Sequence, residues 1–365
     1  MLERKMMIMK NLFIDIHAIQ TVPPSCVNRD DTGSPKTARY GGTERARISS
    51  QAWKHAMREY FKGIFAAEEL GSRTKHVADM IAREMLKIDT ALDEQTARKR
   101  AAETLKISGI KIDDKTGENA ALFFISRAQA KALAELALSG EKDKKAYQRA
   151  LKENPSLDIV LFGRMAADDP NLNYDAAAQV AHAISTHTVH TEYDYFTAVD
   201  DLQSEDQSGA GHLGTVEFNS ATLYRYAAVN VAELAKHLGA DAPKAVRGFA
   251  EAFIRSMPTG KQNTFANRTL PDMVYVTVRG DQPVNLSGAF ENAVKNGSEG
   301  FVSASCKALL CYASRMYDTF ADSPQAAFGC GDAGILAGYA QTMPLKELLA
   351  SLEKYTADAC AEEEA

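Results

Sequence analysis

The chain has 365 residues, 45% hydrophobic and 25% charged, with a net charge of −6. This is the ordinary composition of a soluble globular protein of two or three structural units, and its apolar runs fall far short of the ~18 residues a membrane helix needs. An acidic balance argues against a nucleic-acid partner, but the charge is uneven: residues 1–62 carry +5 and the rest −11, so one basic surface can exist on an acidic chain.

The opening MLERKMMIMK has charge but no apolar stretch or small-residue cleavage site, so it reads as no signal peptide, with Met6, Met7 or Met9 as alternative starts. The five cysteines (Cys26, Cys306, Cys311, Cys330, Cys360) are odd in number and lack a CxxC pair. That suits reduced thiols in a cytoplasmic protein better than a disulfide frame or structural zinc. NLFIDIHAI (11–19) alternates apolar and polar residues and predicts a strand. A polar loop follows from Thr21 to Gly42. Within it, NRDDTGS places Asp30 and Asp31 beside Arg29. A loop aspartate can hold Mg²⁺ or assist RNA cleavage; more commonly it bonds its own turn backbone.

RYGGTERARISSQAWKHAMREYFK (39–62) then predicts a short extended piece and a helix over 50–62. The glycines suggest a phosphate loop, but no Gly-Lys-Ser/Thr follows and GxGxxG is absent, which removes ATP and NAD. Trp53, Ala56, Met57 and Tyr60 form an apolar stripe. Gln51, Lys54, His55, Arg58 and Lys62 form a second, polar and cationic one. With Ser49 or Ser50 as N-cap, the helix start and the stripe could hold two anions in a row, which suits a polynucleotide better than a mononucleotide. A plain solvated face has the same periodicity.

Residues 63–175 predict a mainly helical insert, with helices within 64–105 and over 127–138 and 142–153, and KISGIKID and ALFFIS as strand candidates. Lys145, Arg149 and Lys152 align on a second basic face, by default solvated. Residues 176–187 predict a short helix. His182, His187, His190 and Glu192 are metal-ligand types, but match no established ligand spacing, so a structural role is expected and no metal. Residues 189–222 predict a hairpin around the tip DQSGAGHLG. It carries Tyr193, Tyr195, Phe196, Val199 and Leu213, side chains able to wedge between bases or to pack on the body or a second copy. Asn230 caps the helix VAELAKHL and Gly239 ends it. Further predictions are a helix over 243–257, a strand at DMVYVTV, helical GAFENAV, and a C-terminal helix over 345–364. Without insert and hairpin, the order suggests an α+β sandwich of ferredoxin-like type with helices on one face.

FIDIHAIQTVPPSCVNRDD, YGGTERARISSQAWKHAMR, HAISTHTVHTEYDYFTAVDDL, GAGHLGTVEFNSATLYRYAAVNVAEL and GKQNTFANRTLPDMVYV resemble, in this order, the CasC family. That family is the repeated backbone subunit of Cascade, the type I-E CRISPR surveillance complex. The resemblance runs from about residue 11 to 350, weaker in 63–155 and after 300. It implies a hand: an RRM-like palm (9–62, 176–188 and 223–365), a helical fingers insertion (63–175) and a protruding thumb hairpin (189–222). It implies copies polymerised along a CRISPR RNA, each thumb kinking the guide and flipping a base while the others stay stacked for pairing with target DNA. Partners would be the guide, target DNA through the guide, further copies and other Cascade subunits. No membrane, cofactor or catalytic activity is implied. Family RNA contacts fall on Arg29, Lys36, Ser49, Gln51, Lys54 and Arg58, with Met165 from the fingers and Phe196 and Leu213 from the thumb. His55 stands where the family pattern has Arg, and a neutral imidazole there would weaken the phosphate contact. The competing reading is a Mg²⁺-dependent RNA endonuclease using Asp30 or Asp31.

Overall fold

The structure, a computed structural model, describes residues 11–113, 116–198 and 212–364. In chain order its strands are β1 (Phe13–Ser25), β2 (Thr37–Tyr40), β3 (Thr43–Ile48), β4 (Ser72–Thr74), β5 (Phe123–Ile125), β6 (Ala178–Val180), β7 (Ala183–Ser185), β8 (Glu192–Ala198), β9 (His212–Asn230), β10 (Met273–Arg279), β11 (Ala326–Cys330) and β12 (Gln341–Thr342). The helices are α1 (Ser50–Phe61), α2 (Val77–Ile88), α3 (Glu94–Ser108), α4 (Arg127–Leu138), α5 (Lys144–Lys152), α6 (Leu157–Phe162), α7 (Val231–Leu238), α8 (Ala242–Arg255), α9 (Gln262–Phe265), α10 (Gly300–Thr319), α11 (Ala333–Leu336) and α12 (Leu345–Glu364). The chain is therefore α+β.

One sheet runs β12-β11-β10-β1-β9-β7-β3-β2, with β6 and β8 also paired to β9. Read as β1–α1–β7–β9–α8–β10, its centre has the spatial order fourth, first, third, second strand. β1 is antiparallel to both β9 and β10. Its pairing with β9 shifts between Val22 and Ser25, where Pro23 and Pro24 cannot donate to the ladder. β9 does two jobs. Residues 212–218 pair with β8 to make a hairpin, and residues 219–230 pair with β1. The hairpin is thus an extension of a central strand. Its tip, including Val199, lies outside the described residues.

Both faces of the sheet are covered. On one, Ile14, Ile16 and Ala18 of β1 and Val274, Val276 and Val278 of β10 pack with Trp53, Met57 and Phe61 of α1, Phe249 and Phe253 of α8, and Leu348 and Leu352 of α12. Each such large apolar side chain contributes about 1.5–3 kcal/mol on burial. On the other, Ile19, Tyr224, Tyr226 and Tyr275 lie under Cys306, Leu309, Leu310 and Ala313 of α10. The expectation of helices on one face is corrected by α10, a helix that sequence periodicity did not single out. The insert has its own core, in which Ile81, Met85, Leu105, Leu133 and Leu151 join α2 to α5.

Three local expectations also change. Residues 176–187 form β6 and β7, not a helix: their alanines have helical propensity, but pairing with β9 overrides it. KISGIKID is not a strand, because α3 runs on to Ser108 and stops at Gly109 with φ +93°. GAFENAV supplies only a short 3-10 turn, Ser287–Phe290.

Candidate nucleic-acid interface

The start of α1 is fixed from three directions. Ser49 is the N-cap, its Oγ accepting from the Ala52 amide at 3.2 Å, and its own amide donates to Asn28 Oδ1 at 2.9 Å. The Ser50 amide and Arg47 Nη1 both lie 3.3 Å from His182 Nδ1. Burial and the nearby Arg47 and Lys36 charges push the His182 pKa down, so the ring serves as an acceptor. His187 accepts from the Thr222 amide at Nε2, donates to Thr188 O from Nδ1, and stacks on Phe301 at 3.8 Å. Both histidines serve the backbone. Among the described residues no three histidine, cysteine or carboxylate side chains are grouped to hold a metal ion.

The loop before β2 is stitched to this helix start. Lys36 N donates to Asn28 O at 2.8 Å, and Arg47 N to Lys36 O at 2.9 Å. Arg29 is exposed and Lys36 half-buried on this loop. Asp30 Oδ1 accepts from the Thr32 amide, the Thr32 hydroxyl and the Ser34 amide. The Thr32 hydroxyl bond leads in holding its carboxyl below the usual range. Here Asp30 makes the turn. Asp31 is exposed beside it.

α1 then faces the insert across a cleft of about 610 Å³. Gln51, Lys54, His55 and Arg58 line one wall, and Met165 and Tyr174 line the other. Gln51 and His55 are exposed; Lys54 is half-buried, 6.0 Å over the Phe162 ring, and desolvation lowers its pKa. Met165 is 83% exposed. An apolar side chain that open is held from behind. Arg164 is buried and donates to Leu172 O, Phe124 O and Leu151 O at 2.9, 3.1 and 2.8 Å. Burial lowers its pKa to about 10, so it stays charged at neutral pH.

The expected site residues thus fall into three groups. Gln51, Lys54, His55, Arg58 and Met165 share the cleft. Ser49, Arg29 and Lys36 lie at or beside the helix start, the Ser49 hydroxyl being buried in its cap. Phe196 and Leu213 are on the hairpin; Phe196 does not line the cleft, and the Leu213 side chain lies outside the described residues. Phe196 is 43% exposed, and its ring lies across Gly214, its partner in the β8–β9 pairing. Leu213 pairs with Thr197 through the backbone. Tyr193 and Tyr195 alternate with Phe196 and are exposed.

Sequence reasoning missed Arg73, Phe124, Phe162, Arg164 and Tyr174 of the cleft. These residues are scattered over the insert, and no local spacing joins them. Only Arg164, adjacent to Met165 in GRM, carried a signal.

The sequence profile described as "CT1975-like protein" matches residues 14–355. A chain of a "CRISPR RNA-guided surveillance complex, pre-nicking" superposes with TM-score 0.81 and 33% identity, covering 95% of this chain and 100% of its own. A chain of another "CRISPR RNA-guided surveillance complex" superposes with TM-score 0.61 and 31% identity, covering 93% of this chain and 99% of its own. No curated protein sequence matches significantly.

Proposed function

The chain belongs to the CT1975-like protein family, and we propose that it is the guide-RNA-binding backbone subunit of a type I-E-like CRISPR surveillance complex. Copies would line up along the guide, hold its backbone, and leave bases presented for pairing with invading DNA, alongside other subunits of the complex. The observation that carries this reading is the cleft: Gln51, Lys54 and His55 on one wall and an 83% exposed Met165 on the other. Amide and ammonium donors grip phosphate without reading sequence, and a thioether packs against any sugar or base. A guide holder must accept every spacer, so this chemistry suits it. Arg29 and Lys36 would extend the basic track from the start of α1.

The strand order at the centre of the sheet supports an RRM-like palm. The β8–β9 hairpin, continuous with a central strand, supports a stiff thumb on which Phe196 and Leu213 wedge beside a flipped base. No catalytic step is assigned. The use of Asp30 Oδ1 inside its own turn supports a structural role for that loop.

The test is to purify the chain with its complex and extract the nucleic acid. RNA of defined length is expected, and its absence would leave a protein-assembly module. Lys54→Ala should reduce RNA retention for every spacer; loss confined to particular sequences would contradict backbone recognition. Incubation with complementary RNA and Mg²⁺ should give no cuts. Cuts lost in Asp30→Ala or Asp31→Ala variants would establish an endonuclease instead.

A further inference from the structure

Arg58 shares the cleft with Gln51, Lys54 and His55, but its guanidinium is engaged differently. Its Nε lies 3.2 Å from Asp158 Oδ2, its Nη2 donates to Gly71 O at 3.3 Å, and the group sits 4.4 Å over the Phe124 ring. The Asp158 side chain is only 3% exposed. Its other oxygen accepts from the Gly71 amide at 2.8 Å and the Ser156 hydroxyl at 2.7 Å. A Cβ at residue 71 would meet Ser156 Oγ at 2.6 Å and the Phe124 ring at 2.8 Å, so the segment there fits closely. Three separated parts of the insert, at residues 71, 124 and 158, converge on one side chain of α1. A buried carboxylate that loses its cation is left uncompensated, which makes such a pair costly to break.

The same residues lead on to Met165. Phe124 touches Arg58 with its ring, and its carbonyl accepts from Arg164. Arg164 also takes the carbonyls of Leu151 and Leu172 and directly precedes Met165 in the chain. A short series of contacts therefore runs from α1 through Arg58, Phe124 and Arg164 to the opposite wall of the cleft.

We propose that Arg58 is a positioning residue, not a phosphate ligand: paired with Asp158, it sets the spacing between the polar wall of α1 and Met165. This rests on the RNA-binding reading above. A phosphate ligand keeps its donors for the anion, whereas here two of the three Arg58 nitrogens, Nε and Nη2, serve a buried carboxylate and a carbonyl, and Phe124 lies against the guanidinium face.

The experiment measures binding of a fluorescent single-stranded RNA to the purified full chain across a salt series. Failure of the wild type to bind would sink the RNA reading itself; the outcomes below concern Arg58 alone. Removing a phosphate contact makes the plot of log K against log salt shallower by about 0.7, the expected result for Lys54→Ala. Arg58→Ala should instead leave the slope unchanged while weakening binding roughly tenfold, equivalent to 1.4 kcal/mol. Asp158→Asn should weaken binding likewise. If Arg58 held phosphate, removing its competing carboxylate would leave binding unchanged or tighten it. Met165→Ala should weaken the wild type but add nothing in the Arg58→Ala background, a coupling that general destabilisation would not produce. Should Arg58→Ala fail to fold, Arg58→Lys keeps the charge but cannot span Asp158, Gly71 and Phe124 together, and should behave as the alanine variant was expected to. A shallower slope for Arg58→Ala, wild-type binding by Arg58→Lys, or unweakened binding by Asp158→Asn would each overturn the proposal.

Discussion

Asp15 and His17 sit two residues apart on β1, both fully buried beneath α10. Asp15 accepts from the Tyr226 hydroxyl at 2.7 Å and the Val284 amide at 2.8 Å. His17 lies among Tyr224, Tyr226 and Tyr275. Arg279 and Asp281 supply the nearby charges. Desolvation raises the Asp15 carboxyl from 3.8 to about 6 and lowers the His17 imidazole from 6.5 to about 3. Asp15 therefore contributes stability that is present below pH ~4 and lost as pH rises through ~6, about 3 kcal/mol in all. His17 contributes stability that is present above pH ~6.5 and lost on acidification toward ~3. Their slopes, about 1.4 kcal/mol per pH unit each and opposite in sign, cancel between pH ~4 and ~6. Asp15→Asn removes only the first. Relative to wild type, the variant should lose about 1.4 kcal/mol of stability for each pH unit of acidification within that window. Urea unfolding of both proteins at three or four pH values measures this, and the comparison is independent of any fixed cost of turning an amide toward the Val284 or Tyr226 donor. Parallel stability curves would refute the reasoning.

Three further outcomes are expected. Gly41 has φ +56°, and a Cβ there would lie 1.6 Å from Glu291 O, whereas Gly42, with φ +78°, has open space. Gly42→Ala should cost only the left-handed penalty of about 1–2 kcal/mol, and Gly41→Ala clearly more, by thermal unfolding; equal effects would count against the close approach. Phe196→Ala should leave the unfolding midpoint nearly unchanged while weakening target-strand binding by the guide-loaded complex; a loss of about 3–5 kcal/mol would mark Phe196 as core instead. A phosphate bound beside Lys54 would favour its charged form against the burial that lowers its pKa. RNA affinity should then fall as pH rises into the range where Lys54 loses its proton, and fall less in Lys54→Arg. A pH response identical in both would show that Lys54 makes no such contact.

The parts of the fold that could be read in advance are those whose signal is local. The alternation of β1, the stripe that buries Trp53 and Met57, and the cap at Asn230 are each set within a dozen residues. β6 and β7 are three residues each within an alanine-rich stretch, so their state is decided by the neighbouring β9 and not by their own propensity. Arg58 shows the same limit for the site. Its spacing along α1 marks it as a member of the polar stripe, which is correct. Nothing in that spacing reveals Asp158, a hundred residues further on, whose carboxylate turns the same side chain from a surface cation into a joint.

Helix α10 bears on where RNA could bind. Sheets of RRM type take bases on exposed aromatic side chains. Strands β1, β9 and β10 here do carry aromatic rings, His17, Tyr224, Tyr226 and Tyr275, but α10 covers them and they pack as interior. The sheet face is therefore closed to bases. The exposed side chains proposed to meet RNA lie elsewhere: the α1 wall and Met165 at the cleft, and the aromatic side chains of β8 on the hairpin. If the proposed RNA contacts are right, the strand would be held at these side chains without its bases stacking on the sheet, which would keep the bases available to a second strand. The net acidity of the chain is then no obstacle, because the proposed contact needs only a narrow basic border.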